Sequence, residues 1–335
     1  MPQSFRDAFG CHLYMLFSIM FFAESEAKVG NGLAKGSGNR SDKGAMDPEA
    51  AATRAACAEV MLDATRAMAN NRKKMWQRGV PDESVVILPC RIAFQMLESA
   101  AGVMARKASS ADAAMEMIAA TVDSTEGLTS TVVAALMDLM HSYEHMASIC
   151  AELCCLSPSN KTNPLSVELL REIGRLNTNG MAGSDTGGRA SGIRNVAPFI
   201  THLAALCPRV VLNNIAHLMP HLNSEVYSLR SAIATAIALI LSSQDGLKEG
   251  ENPGHSSVQN RDGPDAVKTR NALLDILTER VLDVSSFTRS AVLKAWIQVV
   301  QSGSLPVERF IPVTKLAIDR LQDKTIVVRR QSMQV

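Results

Sequence analysis

Apolar residues recur at alternating three- and four-residue spacing through most of this chain. Within residues 290–300 they fall at Ala291, Val292, Ala295, Trp296 and Val299, and Ile233, Ala236, Ile237 and Ile240 keep the same spacing further upstream. Such a stripe is the buried face of an α-helix. The pattern and its breaks predict helices over residues 47–78, 82–107, 109–123, 129–156, 163–176 and 193–206. It then predicts helix pairs over 208–222 with 226–243, and 267–282 with 285–302. A last pair joins 307–321 to a helix that starts at Thr325. Asp47 supplies a capping carboxylate ahead of Pro48 at the first helical position. Gly79-Val-Pro-Asp82 and Ser157-Pro158 are stops.

The three pairs share a motif at the turn between their helices. It reads Leu222-Asn-Ser-Glu-Val-Tyr-Ser-Leu-Arg230, then Val281-Leu-Asp-Val-Ser-Ser-Phe-Thr-Arg289, then Leu321-Gln-Asp-Lys-Thr-Ile-Val-Val-Arg329. Each copy places an aliphatic residue eight before an Arg and a short polar residue six before it: Ser224, Asp283 and Asp323. The Arg residues lie 59 and then 40 residues apart, and the longer gap holds a polar stretch, 242–264, that reads as an insertion. Without it the period is about 40, the spacing of two-helix HEAT-type repeats. The expected fold is therefore all-α, an α-solenoid of HEAT-type helix pairs. One pair cannot bury its apolar faces alone, so the repeats must stack. The short polar residue is placed to accept from free amides at the start of the next helix. The Arg is placed to bridge to an acid in the adjacent repeat.

The domain organisation follows. Residues 1–45 form a poorly structured segment with a short apolar run and a Gly/Ser linker; 46–177 are a helical region ahead of the repeats. A Gly-rich loop spans 178–192. The repeat array covers 193–335, with a disordered insertion at about 243–265. The last helix ends at Val335 without the polar cap a solenoid needs, which marks the sequence as a fragment of a longer array.

Composition fits this picture. Hydrophobic residues make up 47% of the 335, but aromatics only 4%, with 17 Met. Helices pack well from Ala, Leu and Met, whereas sheets favour aromatic and β-branched residues. A net charge of +1 argues against a broadly basic nucleic-acid binder. DNA contact would rest on a local patch, such as Arg72-Lys-Lys74 with Arg78 beside Trp76, or on another subunit. That run equally fits a solvated helix C-terminus, where cations complement the dipole. The apolar run at 11–23 is too short to span a bilayer.

No constellation supports catalysis or a cofactor. His141 and His145 stand four apart, with Cys150, Cys154 and Cys155 following. On one continuous helix Cys150 faces away from His141, and Cys155 returns to its face about 21 Å along the axis. The two groups cannot share an ion, so no metal site is assigned. The Gly-rich loop lacks a preceding strand and a Gly-Lys-Ser/Thr ending, so it is no phosphate loop. Seven Cys without a CxxC pair read as free, mostly buried thiols of a reducing compartment.

The residues around the second and third motifs carry a resemblance. Arg270-Asn-Ala-Leu-Leu-Asp-Ile-Leu, then Asp283-Val-Ser-Ser-Phe-Thr-Arg-Ser-Ala-Val-Leu-Lys-Ala-Trp296, then Leu316-Ala-Ile-Asp-Arg-Leu-Gln-Asp-Lys-Thr-Ile-Val-Val-Arg-Arg330 resemble the condensin complex subunit 1 family. These are the D-type HEAT-repeat regulatory subunits of condensin. Ser224-Glu-Val-Tyr-Ser-Leu-Arg-Ser-Ala-Ile233 is similar to a further repeat of that family, with Ser224 in place of its usual Gly. The resemblance covers about 195–335. It implies a non-catalytic scaffold that binds the kleisin and the structural-maintenance-of-chromosomes ATPase subunits and works in mitotic chromosome condensation. It also implies a location in the nucleus and on chromosomes, with the cytoplasm as a site outside mitosis. Contact with chromatin would be indirect or through a local basic patch, without a membrane. The repeat positions Ser224, Arg230, Asp283, Arg289, Asp323 and Arg329 would be structural. The alternative on the same fold is another HEAT/armadillo scaffold, a nuclear-transport or phosphatase regulatory subunit.

Overall fold

The computed structural model describes residues 48–75, 86–99, 109–125, 127–156, 164–176, 188–243 and 264–335. The expected N-terminal segment, most of the Gly-rich loop and most of the insertion lie outside these residues. All described regular structure is helical. In chain order it comprises α1 (Pro48–Met75), α2 (Leu88–Ser99), α3 (Ser109–Ser124), α4 (Thr129–Ser142), α5 (Met146–Leu156), α6 (Pro164–Gly174) and α7 (Gly188–Leu206). There follow α8 (Pro208–Asn214), α9 (Tyr227–Ser242), α10 (Pro264–Arg280), α11 (Ser286–Gln301), α12 (Phe310–Arg320) and α13 (Ile326–Ser332).

The chain divides into two compact units, with the boundary at Ala134/Ala135 inside α4. In the first unit, α1 and α2 both pack on α3. The apolar stripe of α1 (Cys57, Ala58, Met61, Leu62) is buried, as are Ala93, Met96 and Leu97 of α2 and Ala114, Met117 and Ile118 of α3. One threonine of α1 and one of α3 lie in this core. Each hydroxyl donates back to its own helix, Thr65 to the Met61 carbonyl at 2.8 Å and Thr121 to the Met117 carbonyl at 2.7 Å. Neither donor is left unpaired where that would cost about 1–3 kcal/mol. Arg66 of α1 pairs with Glu116 of α3 at the surface.

The second unit is a stack of helix pairs. Its inner row runs α7, α9, α11, α13, each packed on the next, while α10 and α12 pack beside α9/α11 and α13. Trp296 of α11 is fully buried, as are Phe199 of α7 and Ile233, Ile237 and Ile240 of α9. The helix faces read from sequence are thus the faces that touch, and the unit is an α-solenoid of HEAT-type pairs.

Two predicted helices break, and a third starts early, α7 taking in residues 188–192 at the end of the expected Gly-rich loop. Residues 129–156 are not continuous: the helix stops at Ser142 and restarts at Met146. Ser142, Tyr143 and His145 are weak helix formers. The Tyr143 carbonyl takes the Met146 amide at 3.2 Å in place of an i+4 bond, and Met146 is fully buried. His141 and His145 are therefore not two ligands on one helix face, and no group of three or more metal-ligating side chains occurs among the described residues. Residues 208–222 also break. α8 ends at Asn214, followed by 3-10 turns Ile215–His217 and Met219–Asn223. Pro220 lies at the start of the second 3-10 turn, where its missing amide keeps an α-helix from running through to 222.

The described cysteines are free and mostly buried. Cys57, Cys90, Cys150 and Cys154 are buried, but Cys155 is exposed and Cys207 half-buried. Burial pushes the Cys90 and Cys150 thiols up to about 12, although a hydrogen bond with Thr121 partly offsets this at Cys90. These two are inert at neutral pH.

Candidate functional site: an arginine–aspartate ladder between repeats

Each inter-helix turn of the array is built from its short polar residue. In the second copy Asp283 Oδ1 accepts the Ser285 amide at 2.8 Å. In the third, Asp323 Oδ1 accepts the Thr325 amide at 2.9 Å, and in the first, Ser224 Oγ accepts the Val226 amide at 3.1 Å. The accepted amide lies two residues on, at the residue just ahead of the next helix, the local geometry of an Asx turn. It fixes the entry angle of α9, α11 and α13.

The arginines then link one copy to the next. Arg230 of α9 forks onto Asp283, Nε to Oδ2 at 2.8 Å and Nη2 to Oδ1 at 2.9 Å. Arg289 of α11 forks onto Asp323 with the same atoms and the same distances. Each Arg also closes its own turn with its third donor group. Arg230 Nη1 donates to the Ser224 carbonyl, and Arg289 Nη1 to the carbonyls of Asp283 (2.8 Å) and Val284 (3.0 Å). The carboxylates are nearly out of solvent: the side chains of Asp283 and Asp323 are 3% and 4% exposed. Paired, bidentate and fully hydrogen-bonded, they can be buried at tolerable cost. Arg289 beside Asp323 holds that carboxyl below the usual carboxylate range, aided by the Thr325 amide and Arg320 and opposed by burial.

Arg329 repeats only the inner half of the pattern. Its Nη1 donates to the carbonyls of Asp323 (2.7 Å) and Lys324 (3.1 Å), and among the described residues it meets no carboxylate. The six repeat positions thus form two complete rungs, Arg230–Asp283 and Arg289–Asp323. Ser224 and Arg329 stand at the two ends.

Three further links lie outside the motif. Arg280 of α10 donates to the Leu222 carbonyl at 2.8 Å and to Asn223 Oδ1 at 3.1 Å. Arg309 reaches Asp275 of α10 at 2.6 Å. Ser231 of α9 bonds the fully buried Thr288 of α11 at 3.3 Å. Arg280 and Arg309 sit on the first helix of a pair or just before it, so the turn pattern carries no sign of them.

The turns line an open groove of about 640 Å³ between the second and third copies, with Asp283, Arg289, Asp319, Arg320, Asp323 and Lys324 in its wall. Along the same edge, Val284 is 97% exposed and Phe287 67%, and Phe287 stacks on Tyr227 with ring centroids 5.1 Å apart. Large exposed apolar groups beside fixed charges suit partner binding better than chemistry on a small molecule. The basic run near Arg72 lies outside the residues whose side chains are described.

Comparison with known proteins agrees with the motif resemblance and extends it. Condensin complex subunit 1 of Xenopus laevis is 27% identical over 267 residues, 78% of this chain and 18% of that protein. Condensin-1 complex subunit CAP-D2 of Arabidopsis thaliana is 27% identical over 253 residues, 75% of this chain and 17% of its own length. Condensin complex subunit 1 of Homo sapiens is 27% identical over 267 residues, with the same coverage as the frog protein. These stretches are longer than residues 195–335 can hold, so the likeness reaches upstream into the first unit. The chain spans under a fifth of the length of these relatives. No family model matches the chain.

Proposed function

We propose that this chain is part of a condensin D-type regulatory subunit and acts as a non-catalytic HEAT-repeat scaffold. In this reading it holds the kleisin and the structural-maintenance-of-chromosomes ATPase subunits of condensin, and serves chromosome condensation in the mitotic nucleus and on chromosomes. Nucleotide hydrolysis belongs to the partners, and contact with DNA is indirect or local. The observation that carries the reading is the likeness to condensin complex subunit 1 over 78% of the chain. The ladder supports it, because Arg230–Asp283 and Arg289–Asp323 lock consecutive pairs into one register and leave the turn edge open to a partner.

The test is reconstitution. The purified chain is mixed with recombinant kleisin and ATPase subunits of condensin and captured through a tag. Stoichiometric retention of these subunits supports the proposal. Retention of a phosphatase catalytic subunit or a nuclear-transport cargo instead would move the chain to another scaffold class. ATP hydrolysis by the purified chain alone would contradict the non-catalytic reading.

A further inference from the structure

One pair of side chains in the second unit plays no part in the ladder. Cys155 stands in the last turn of α5, and Cys207 is the residue between α7 and α8. They are 52 residues apart in sequence, yet their sulfurs lie 2.6 Å apart. The helical segments on either side of Cys207 meet at 119°, so its side chain projects from a corner. Cys155 is exposed and Cys207 half-buried, whereas Cys150 and Cys154 on the same helix are fully buried. Solvent thus reaches this pair and not its neighbours. A disulfide places its sulfurs about 2 Å apart, so closing the bond from 2.6 Å needs a shift of roughly half an ångström.

We propose that Cys155 and Cys207 are an oxidation site that closes into a disulfide, clasping the end of α5 to the α7–α8 corner. With hydrogen peroxide as the oxidant, the Cys155 thiol gives up its proton, which passes through solvent to the departing oxygen, as its sulfur attacks one peroxide oxygen. The O–O bond breaks, and the other oxygen leaves as water. The resulting sulfenic acid is attacked by the Cys207 thiol, which forms the S–S bond and expels the second water. Two thiols lose two electrons and two protons in all, and the peroxide gains them. Thiol reductants reverse the reaction.

The pair rests in its reduced form. Burial first, then the hydrogen-bonding and electrostatic contact with Cys207, then the Glu152 carboxylate push the Cys155 thiol up to about 12. At neutral pH it is a protonated thiol, which reacts slowly until oxidant accumulates. The closed bond ties together a stretch that includes α6 and α7 and restricts its opening.

The experiment treats the folded full-length chain with hydrogen peroxide, alkylates the remaining thiols and maps linked peptides by fragmentation mass spectrometry. The expected result is loss of two thiols and one Cys155–Cys207 link. It should form at least tenfold faster in the folded chain than in the urea-unfolded chain. C155S and C207S should each abolish the link and C154S should keep it, with circular dichroism confirming that each variant is folded. The oxidised wild type should melt roughly 5 °C higher, and dithiothreitol should reverse the shift. The proposal is overturned by a link no faster in the folded chain, by one that persists in C155S through Cys150 or Cys154, or by a link that leaves the melting temperature unchanged.

Discussion

Arg289 and Asp323, 34 residues apart, meet through two parallel hydrogen bonds of 2.8 and 2.9 Å. The same carboxylate accepts the Thr325 amide, and the same guanidinium closes the turn at Asp283. One ion pair therefore fixes two turns and the spacing between them. Breaking a buried pair by removing one partner costs about 3–5 kcal/mol, because the other charge is left without compensation. R289E adds a like charge to that loss. Urea unfolding followed by circular dichroism should show destabilisation of at least this size, and R230E should behave alike. A reversal at Arg175, which is 66% exposed, should change stability by less than about 1 kcal/mol.

Acid sensitivity follows from the same pair. The folded Asp323 carboxyl is held below its ordinary range, chiefly by Arg289, so the unfolded state binds the proton more readily. The stabilisation is complete above the unfolded value of about 4 and is lost as pH falls below it toward the folded value. Stability measured between about pH 5 and pH 2 should fall more steeply in the wild type than in D323N. Asn keeps an oxygen for the Thr325 amide but has no charge to titrate. Equal slopes in the two proteins would remove Asp323 from the account.

Trp296 separates shape from polarity. It is fully buried in α11, and its indole Nε1 finds no acceptor among the described residues. W296A should cost about 3–5 kcal/mol through the cavity it leaves. W296F also removes an unpaired buried donor, which offsets part of its volume loss, so it should cost under about 2 kcal/mol. Thermal or urea unfolding of the two variants gives the comparison, and equal losses would contradict it.

Gly174 ends α6 hard against the turn at His217. A Cβ there would sit 2.6 Å from the His217 carbonyl oxygen, a backbone atom that cannot swing aside. Ala is the better helix former by about 1 kcal/mol, so an open site would gain stability. Here overpacking should win, and G174A should lower stability by about 1–3 kcal/mol. The nearby bond from His221 Nε2 to the Ile173 carbonyl, 2.7 Å and buried, leaves that corner little room to relax. A gain in the unfolding midpoint of G174A would show that the corner yields.

The stacking faces could be read from sequence because helical burial leaves a periodic trace, as at Ala295, Trp296 and Val299. The turns were legible for the same reason: Asp283 and Asp323 recur at a fixed distance before an Arg. Which carboxylate each Arg would meet was not written there, since Asp275 is also an acid of the second repeat and pairs instead with Arg309. The break after Ser142 gave no warning, because no Gly or Pro marks it and tertiary burial of Met146 decides it. Cys155 and Cys207 share no motif, and only the corner at Pro208 brings them together.

The most direct measurement is a charge swap across the second rung, read by both melting and retention of the kleisin and ATPase subunits. R289D should melt well below the wild type and lose retention, because the third pair no longer stacks in register. R289D combined with D323R should recover much of both, though not all, because D323R removes the carboxylate oxygen that accepts the Thr325 amide. A melting curve for R289D that overlays the wild type would contradict the claim that this ladder orders the scaffold.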